Sequence, residues 1–329
     1  MDDVAPLRLG LIGCGRAAER IHLPVMRRSP AEVELVAVAD PSPERRDEIR
    51  AGAPGCEGFE SAEALLGNAA VDAVVIATPA DTHVAVLAAS LEAGVPALVE
   101  KPLARSLEGI DELEKRAAAS DGWTMVGFNR RFAEPFRQLR RSLREAGSTT
   151  PVAAHLELGT DLTAWDAIDP RTDLLDDLGS HAFDLLRFVL DTEITSVAAR
   201  TTGERSMEMW VRLEGRGAAH VVVAHEGPHR ETMSVEGPGE FEVRLGSERV
   251  GPKAGALRDP LDRLDRVRHR LTRRRSWIER SYEEQLRVFA RGVRERREPE
   301  PGLEDGIAAI RAVEAARRSR ECRGGEVSP

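Results

Sequence analysis

Two places in this 329-residue chain combine a residue type with a setting suited to moving a proton. Lys101 stands in Glu100-Lys101-Pro102 and is one of only three lysines, with Lys115 and Lys253, against 44 arginines. Guanidinium stays protonated, whereas an ammonium group loses its proton when desolvated or set beside another cation, so the two are not interchangeable. Further along, Asp177 and His181 are four residues apart within a helical pattern, which lets their side chains meet. A carboxylate beside an imidazole fixes its tautomer and raises its basicity, which suits proton transfer near neutral pH.

The elements that must position Lys101 read as a dinucleotide fold. The apolar run Leu7–Ile12 ends at Gly13-Cys14-Gly15-Arg16-Ala17-Ala18, and a helical stretch follows. Gly13 permits the tight turn, Gly15 lets the backbone approach a pyrophosphate, and Ala18 lets helix pack on strand. A second run, Val33–Ala39, ends in Asp40, 22 residues beyond Ala18. A carboxylate there accepts ribose hydroxyls and repels a 2′-phosphate, so NAD is expected over NADP, although Arg45 and Arg46 lie nearby. Strands at 72–78, 97–100 and 123–128 then alternate with helices at 82–93 and 106–119. That alternation predicts a parallel, doubly wound sheet, with ligands beyond the carboxyl ends of its strands. Asp40, Thr78-Pro79, Glu100-Lys101 and Asn129-Arg130-Arg131 fall at those ends, and Arg16 and Ala17 join the glycines as cofactor-binding candidates. His83, near a helix start, has two readings: a side chain that reaches phosphate or nicotinamide ribose, or one satisfied by local backbone. Arg130 and Arg131 either bind substrate or cofactor, or sit solvated.

From Pro151 the pattern changes. A strand at 152–160 leads into an irregular acidic loop holding Asp161, Trp165, Asp166, Asp169, Pro170, Arg171 and Asp173. The spacing predicts a helix over 174–190 with Asp173 as its N-cap. Leu174, Leu178, Ala182, Leu185, Leu186 and Val189 share one apolar face, with Asp177, His181 and Asp184 along its edge. Strands follow at 194–202, 207–213, 218–225, 231–236 and 240–245 with hairpin links, which predicts a largely antiparallel open sheet. His220 and His225 lie in that region with no acid at ligand spacing and read as structural. Residues 263–275 hold seven arginines, read either as a diphosphate-neutralising segment or as a solvated surface. The expected organisation is a Rossmann α/β domain over 1–130 and an α+β domain over 131–329. Two amphipathic helices within 277–319 are expected to return to brace the first domain.

A net charge of −9 and a pI near 5.6 argue against nucleic-acid or anionic-membrane partners. No apolar run approaches a membrane span, and Met1 to Pro6 lacks a signal core, so a cytoplasmic protein is expected. Three scattered cysteines form neither a disulfide framework nor a zinc pattern, and no metal is expected.

In family order, Gly13-Cys14-Gly15-Arg16-Ala17-Ala18, Ala39-Asp40, Thr78-Pro79 with His83, Ala93-Gly94, Glu100-Lys101-Pro102 and Gly127-Phe128-Asn129-Arg130-Arg131-Phe132 resemble the glucose–fructose oxidoreductase and inositol 2-dehydrogenase family, Gfo/Idh/MocA. Asp177-Leu178-Gly179-Ser180-His181 is similar to its catalytic Asp-x-x-x-His helix. The resemblance implies an NAD-dependent hydride transfer to or from a secondary alcohol or ketone of a sugar, inositol or sugar derivative. It implies that Lys101 contacts the reacting oxygen, Asp177 orients His181, and the Lys101-Pro102 bond is open to the cis form, which proline permits. Arg131, Trp165 and Asp184 are candidates for substrate contact. By analogy the chain forms a homodimer or homotetramer. Ala80 departs from an asparagine common after Thr-Pro, and Asp169-Pro170-Arg171-Thr172-Asp173 replaces a glycine-rich lead-in. Two alternatives stay open: a glycosidase that uses NAD for a transient oxidation, and a non-catalytic NAD- or sugar-binding regulator. Short-chain dehydrogenases need Tyr-x-x-x-Lys, but the single tyrosine, Tyr282, is followed four residues on by Leu286.

Overall fold

The computed structural model describes residues 5–147, 153–160, 173–226, 230–236, 240–244, 249–251 and 276–329. The chain divides into two units, Met1–Phe128 with Tyr282–Ile310, and Asn129–Ser281 with Arg311–Pro329. The acidic loop at 161–172, with Trp165, and the arginine segment at 263–275 lie outside the described residues.

Val, Leu, Ile and Ala runs with scarcely a polar interruption make strands buried on both faces, the signature of a parallel sheet. The strands of the first unit are β1 (Leu7–Ile12), β2 (Val33–Ala39), β3 (Glu57–Phe59), β4 (Ala73–Ile76), β5 (Ala97–Val99) and β6 (Thr124–Val126), of which β3, at the sheet edge, is polar and largely exposed. All pairings are parallel, in the order β3-β2-β1-β4-β5-β6. This is the strand order of a dinucleotide-binding sheet, which reverses direction between β1 and β4. The helices are α1 (Leu23–Arg27), α2 (Pro43–Arg50), α3 (Ala62–Asn68), α4 (His83–Glu92) and α5 (Ile110–Ala118). The sheet and Leu87, Leu91, Ile110 and Leu113 form one core with Leu303, Ile307 and Ile310 from near the chain's end.

Register fixes which residues share the carboxyl edge. One residue past each strand end, Gly13 N donates to Ala39 O (2.7 Å), Ala77 N to Ile12 O (2.8 Å), Glu100 N to Ile76 O (2.9 Å) and Gly127 N to Val99 O (2.7 Å). Gly13 must be glycine on two counts. Its φ is +93°, and a Cβ would stand 2.7 Å from backbone atoms of Ala77 and Thr78. By contrast, nothing lies within 4 Å of a Cβ placed on Gly15.

Three details depart from the sequence reading. The helix expected over 106–119 starts at Ile110, because Gly109 takes a left-handed φ of 76° that the helix interior does not allow. The helical stretch after the glycine turn opens with a π-helical turn, Ala18–His22, in which Leu23 N reaches back to Ala18 O. Residues 43–68, unassigned from sequence, supply α2, β3 and α3.

In the second unit a seven-stranded sheet runs β13-β12-β11-β7-β10-β9-β8. Its strands are β7 (Ala153–Gly159), β8 (Ile194–Thr201), β9 (Ser206–Leu213), β10 (Ala218–Ala224), β11 (Arg230–Glu236), β12 (Glu240–Arg244) and β13 (Arg249–Gly251). β7 is parallel to β10 and antiparallel to β11, and the remaining pairs are antiparallel. Burial alternates along β9, β10 and β11, so one face of the sheet is packed and the other is not. Against the packed face lie α6 (Glu134–Glu145) and α7 (Ser180–Leu190), whose Phe136, Leu139, Phe183, Leu185 and Leu186 share the core with Leu156, Val221 and Met233. The last two helices are α8 (Trp277–Glu295) and α9 (Leu303–Glu321), and both cross from one unit to the other. Ala312, Val313, Ala315 and Ala316 of α9 belong to the second core.

Gly13→Ala is expected to lose about 1–3 kcal/mol in urea unfolding of the first unit, the cost of a strained backbone with no room to relax. Gly15→Ala is expected to unfold like the wild type, and equal losses in the two variants would contradict the packing described for Gly13.

Candidate active site

The carboxyl edge of the first sheet collects the residues singled out for a dinucleotide. Asp40 is buried, and both of its carboxylate oxygens are already oriented by backbone: Cys14 N donates to Oδ2 and Ser42 N to Oδ1, each at 2.9 Å. A carboxylate oxygen has a second lone pair, so ribose hydroxyls remain acceptable partners. Arg46, one of the two arginines near Asp40, donates from Nη1 to the Asp40 carbonyl at 2.5 Å. Burial, with the Asp40 charge adding to it, pushes the Cys14 thiol up to about 12, so it stays protonated and inert. Arg16 is exposed and Ala17 half-buried where the helical stretch begins. Pro79 O accepts from Thr82 N and Oγ1, closing the turn before α4.

Thr78 Oγ1 is buried at the end of β4 without a hydrogen-bond partner among the described residues. A buried hydroxyl left this way calls for a missing partner. With the open space above Gly15 and the Asp40 carboxylate, it makes this edge fit a dinucleotide.

His83 takes the second of its two readings. Its Nε2 lies 2.9 Å from Thr78 O and its Nδ1 2.9 Å from Pro102 O, and the ring is 1% exposed. Both nitrogens are thus committed to backbone, tying the end of β4 to the Glu100-Lys101-Pro102 turn, in which the Lys101-Pro102 bond is cis. Two carbonyls ask for two donors, which only imidazolium supplies, yet burial outweighs their pull and lowers the His83 pKa.

Glu100 has a partner the sequence did not announce. His22, at the end of the first π-turn, meets Glu100 Oε1 through Nε2 at 2.9 Å, and Glu100 Oε2 accepts the Lys101 backbone N–H at 3.2 Å. Burial alone would raise the Glu100 carboxyl, but the His22 hydrogen bond and the Lys101 charge hold it below the ordinary glutamate value. Lys101 is half-buried on this braced turn.

In the second unit, Asp173 caps its helix as expected, Oδ1 accepting from Leu175 N (2.9 Å) and Asp176 N (3.3 Å). The helix opens with a second π-turn, Leu175–Gly179, closed by Ser180 N on Leu175 O. Asp177 and His181 are both buried, as are Asp176 and Asp184. Asp177 Oδ2 lies 2.9 Å from Nε2 of His225, an acid 48 residues away in the chain and so at no spacing the sequence displays. His220 meets a histidine instead, its Nδ1 3.2 Å from Nδ1 of His155. Asp176 accepts from Arg317 Nη2 at 2.5 Å.

Arg131 and Asp184, both substrate candidates from sequence, are joined to each other. Nε and Nη2 of Arg131 reach the Asp184 carboxylate at 2.7–3.0 Å, and both residues are buried. Arg130 likewise grips buried Glu231, Nη2 to Oε1 at 2.5 Å and Nε to Oε2 at 3.1 Å. Neither arginine is solvated, which corrects that alternative. Among the described residues, no group of three or more His, Cys, Asp or Glu is arranged to hold a metal.

A six-stranded parallel sheet of this order with an acid-tipped second strand defines a dinucleotide-binding fold. Residues 7–128 match the model of the oxidoreductase family with NAD-binding Rossmann fold, Gfo/Idh/MocA. Inositol 2-dehydrogenase of Acidothermus cellulolyticus is 30% identical over 95% of this chain and 92% of its own length. Inositol 2-dehydrogenase 4 of Saccharopolyspora erythraea is 35% identical over 59% of this chain, and that match spans 57% of the relative. The WlbA dehydrogenase of Bordetella pertussis, solved with NADH and UDP-GlcNAcA, superposes with a TM-score of 0.81 over 98% of both chains at 21% identity, a likeness of fold. The chain belongs to the Gfo/Idh/MocA family of oxidoreductases.

Neutral buried His83 opposes acid. The unfolded chain, with imidazole near its ordinary value of about 6.5, takes up the proton first as pH falls, so stability is intact above that value and declines below it. The melting temperature of His83→Gln is expected to fall less than that of the wild type between pH 7.5 and 5.5; parallel curves would contradict this.

Proposed function

We propose that this protein is an NAD-dependent dehydrogenase of a polyol, an inositol or a sugar, oxidising a secondary alcohol to a ketone in a reversible reaction. The reading is carried by one observation: the Glu100-Lys101-Pro102 turn is braced by two histidines, on the same strand edge as Asp40 and Thr78. The names of its relatives, inositol 2-dehydrogenases, support the substrate class.

Bound NAD supplies the two-electron acceptor. Gly13, Gly15, Asp40 and Thr78 are the residues that would hold it, with Asp40 on the adenosine ribose. Lys101 donates a hydrogen bond to the substrate oxygen and stabilises the negative charge that develops there. His181 takes the hydroxyl proton, and returns it in the reduction direction. Asp177 keeps the His181 imidazole in one tautomer and favours its protonated form. The carbon–hydrogen bond gives up its electron pair as the carbon–oxygen double bond forms, so proton and hydride leave together from one CH–OH group.

Preference for NAD rests on the Asp40 carboxylate, which repels a 2′-phosphate, and kcat/KM is expected to be higher with NAD than with NADP. The chain is also proposed to assemble as a homodimer or homotetramer. Trp210, 44% exposed beneath the Arg200 guanidinium, is a large apolar group on the sheet that such an interface would cover.

Lys101→Met and His181→Ala are expected to bind NAD with unchanged affinity and to lose about 10²–10⁴ in kcat, followed as NADH absorbance with myo-inositol, free sugars and nucleotide sugars. Wild-type turnover in either variant would remove that residue from the reaction. Light scattering after gel filtration is expected to give a mass of at least two chains, and a monomer would end the assembly proposal.

A further inference from the structure

We infer that His225 is a positioning residue for proton transfer: its Nε2–H fixes the Asp177 carboxylate that partners His181. This rests on the roles proposed above for Asp177 and His181. An ionised carboxylate only accepts, so the nitrogen 2.9 Å from Asp177 Oδ2 is the one that carries hydrogen, which settles the imidazole's orientation as donor. The side chains of the pair are 1% and 4% exposed.

The donor comes from the sheet and the acceptor from the helix. His225 directly follows β10, and its backbone N–H is bonded to Arg205 O at 2.9 Å, so the register of β10 between β7 and β9 sets where its ring stands. Asp177 sits inside the π-turn, just ahead of the residue proposed to move the proton. A donor anchored outside the helix holds the carboxylate's rotation, while Asp173 caps only the backbone of the same turn.

Asp176 pairs with Arg317, Asp184 with Arg131, and Glu231 with Arg130, whereas the hydrogen bond to Asp177 Oδ2 comes from an imidazole. A neutral imidazole N–H directs that oxygen without adding a fixed positive charge of its own, which suits a carboxylate that acts on a second imidazole one turn along.

The test follows His181 directly and needs no substrate. With histidine labelled at Cε1, the eight imidazoles of the full-length chain give separate NMR titrations, and His181→Ala assigns the His181 signal. Losing the His225 donor weakens the ionised form of Asp177, so the His181 midpoint is expected to fall by about half a pH unit or more in His225→Phe. His225→Asn, whose amide is too short to reach, is expected to do the same and covers the case in which the phenylalanine variant does not fold. His225→Gln places an N–H near the Nε2 position and is expected to restore the wild-type midpoint. Unmoved midpoints in both His225→Phe and His225→Asn, or a glutamine variant no better than asparagine, would overturn the inference. Asp177→Asn separates the two levels. If it leaves His181 unmoved, the Asp177–His181 coupling itself falls; if it moves His181 while the His225 variants do not, only the role of His225 falls.

Discussion

Four backbone hydrogen bonds, each one residue beyond a strand end, govern the first unit. Parallel pairing slants from strand to strand, so the ladder runs on past the last paired residues and captures Gly13, Ala77, Glu100 and Gly127. Everything the dinucleotide edge offers is attached to those residues or to their neighbours. Asp40 follows the carbonyl that holds Gly13, Thr78 follows Ala77, and Lys101 follows Glu100. The sheet thus does more than present a surface. It sets the spacing of a glycine turn, a carboxylate, a hydroxyl and an amine before any of their side chains acts.

Side chains then correct what the ladder leaves loose. Glu100 is the pivot, with one oxygen toward His22 and the other toward the Lys101 backbone N–H. His83 ties Thr78 O to Pro102 O on the far side of the same turn. Two π-turns matter here. Each widens the first turn of a helix by one residue, and each delivers a group to a buried partner: His22 to Glu100, and Asp177 to His225. π-turns cost helical regularity and persist where a side chain needs aiming.

How much of this was legible follows from where the interactions are encoded. β1, β2 and β4 announce themselves because strands buried on both faces read as nearly continuous apolar runs. Asp40 was legible because it ends β2, and Glu100 and Lys101 because they follow the short apolar run of β5. The three-residue strand Glu57–Phe59 is too short and polar to carry a pattern, and Gly109 ended the α5 helix early by a backbone angle that composition does not reveal. The partners of His22 and His225 were not legible because they lie 78 and 48 residues away, at no fixed offset. Asp184, on the edge of an apolar stripe, is held by Arg131 in a buried ion pair, and its partner lies 53 residues earlier, where no local spacing announces it.

The buried acids of the second unit sort by partner, and that sorting has a physical basis. A guanidinium against a carboxylate forms two parallel hydrogen bonds and removes net charge, which is what Asp184 and Glu231 need in a core that tolerates no unpaired ion. At Asp177 Oδ2 the donor is an imidazole, 2.9 Å away and as deeply buried as the acid. A neutral imidazole N–H satisfies that oxygen without bringing a fixed positive charge, which is what the role proposed for Asp177 beside His181 asks of its partner. The sheet that carries His225 thereby takes part in orienting a group on the helix, and packing and the proposed chemistry meet in one hydrogen bond.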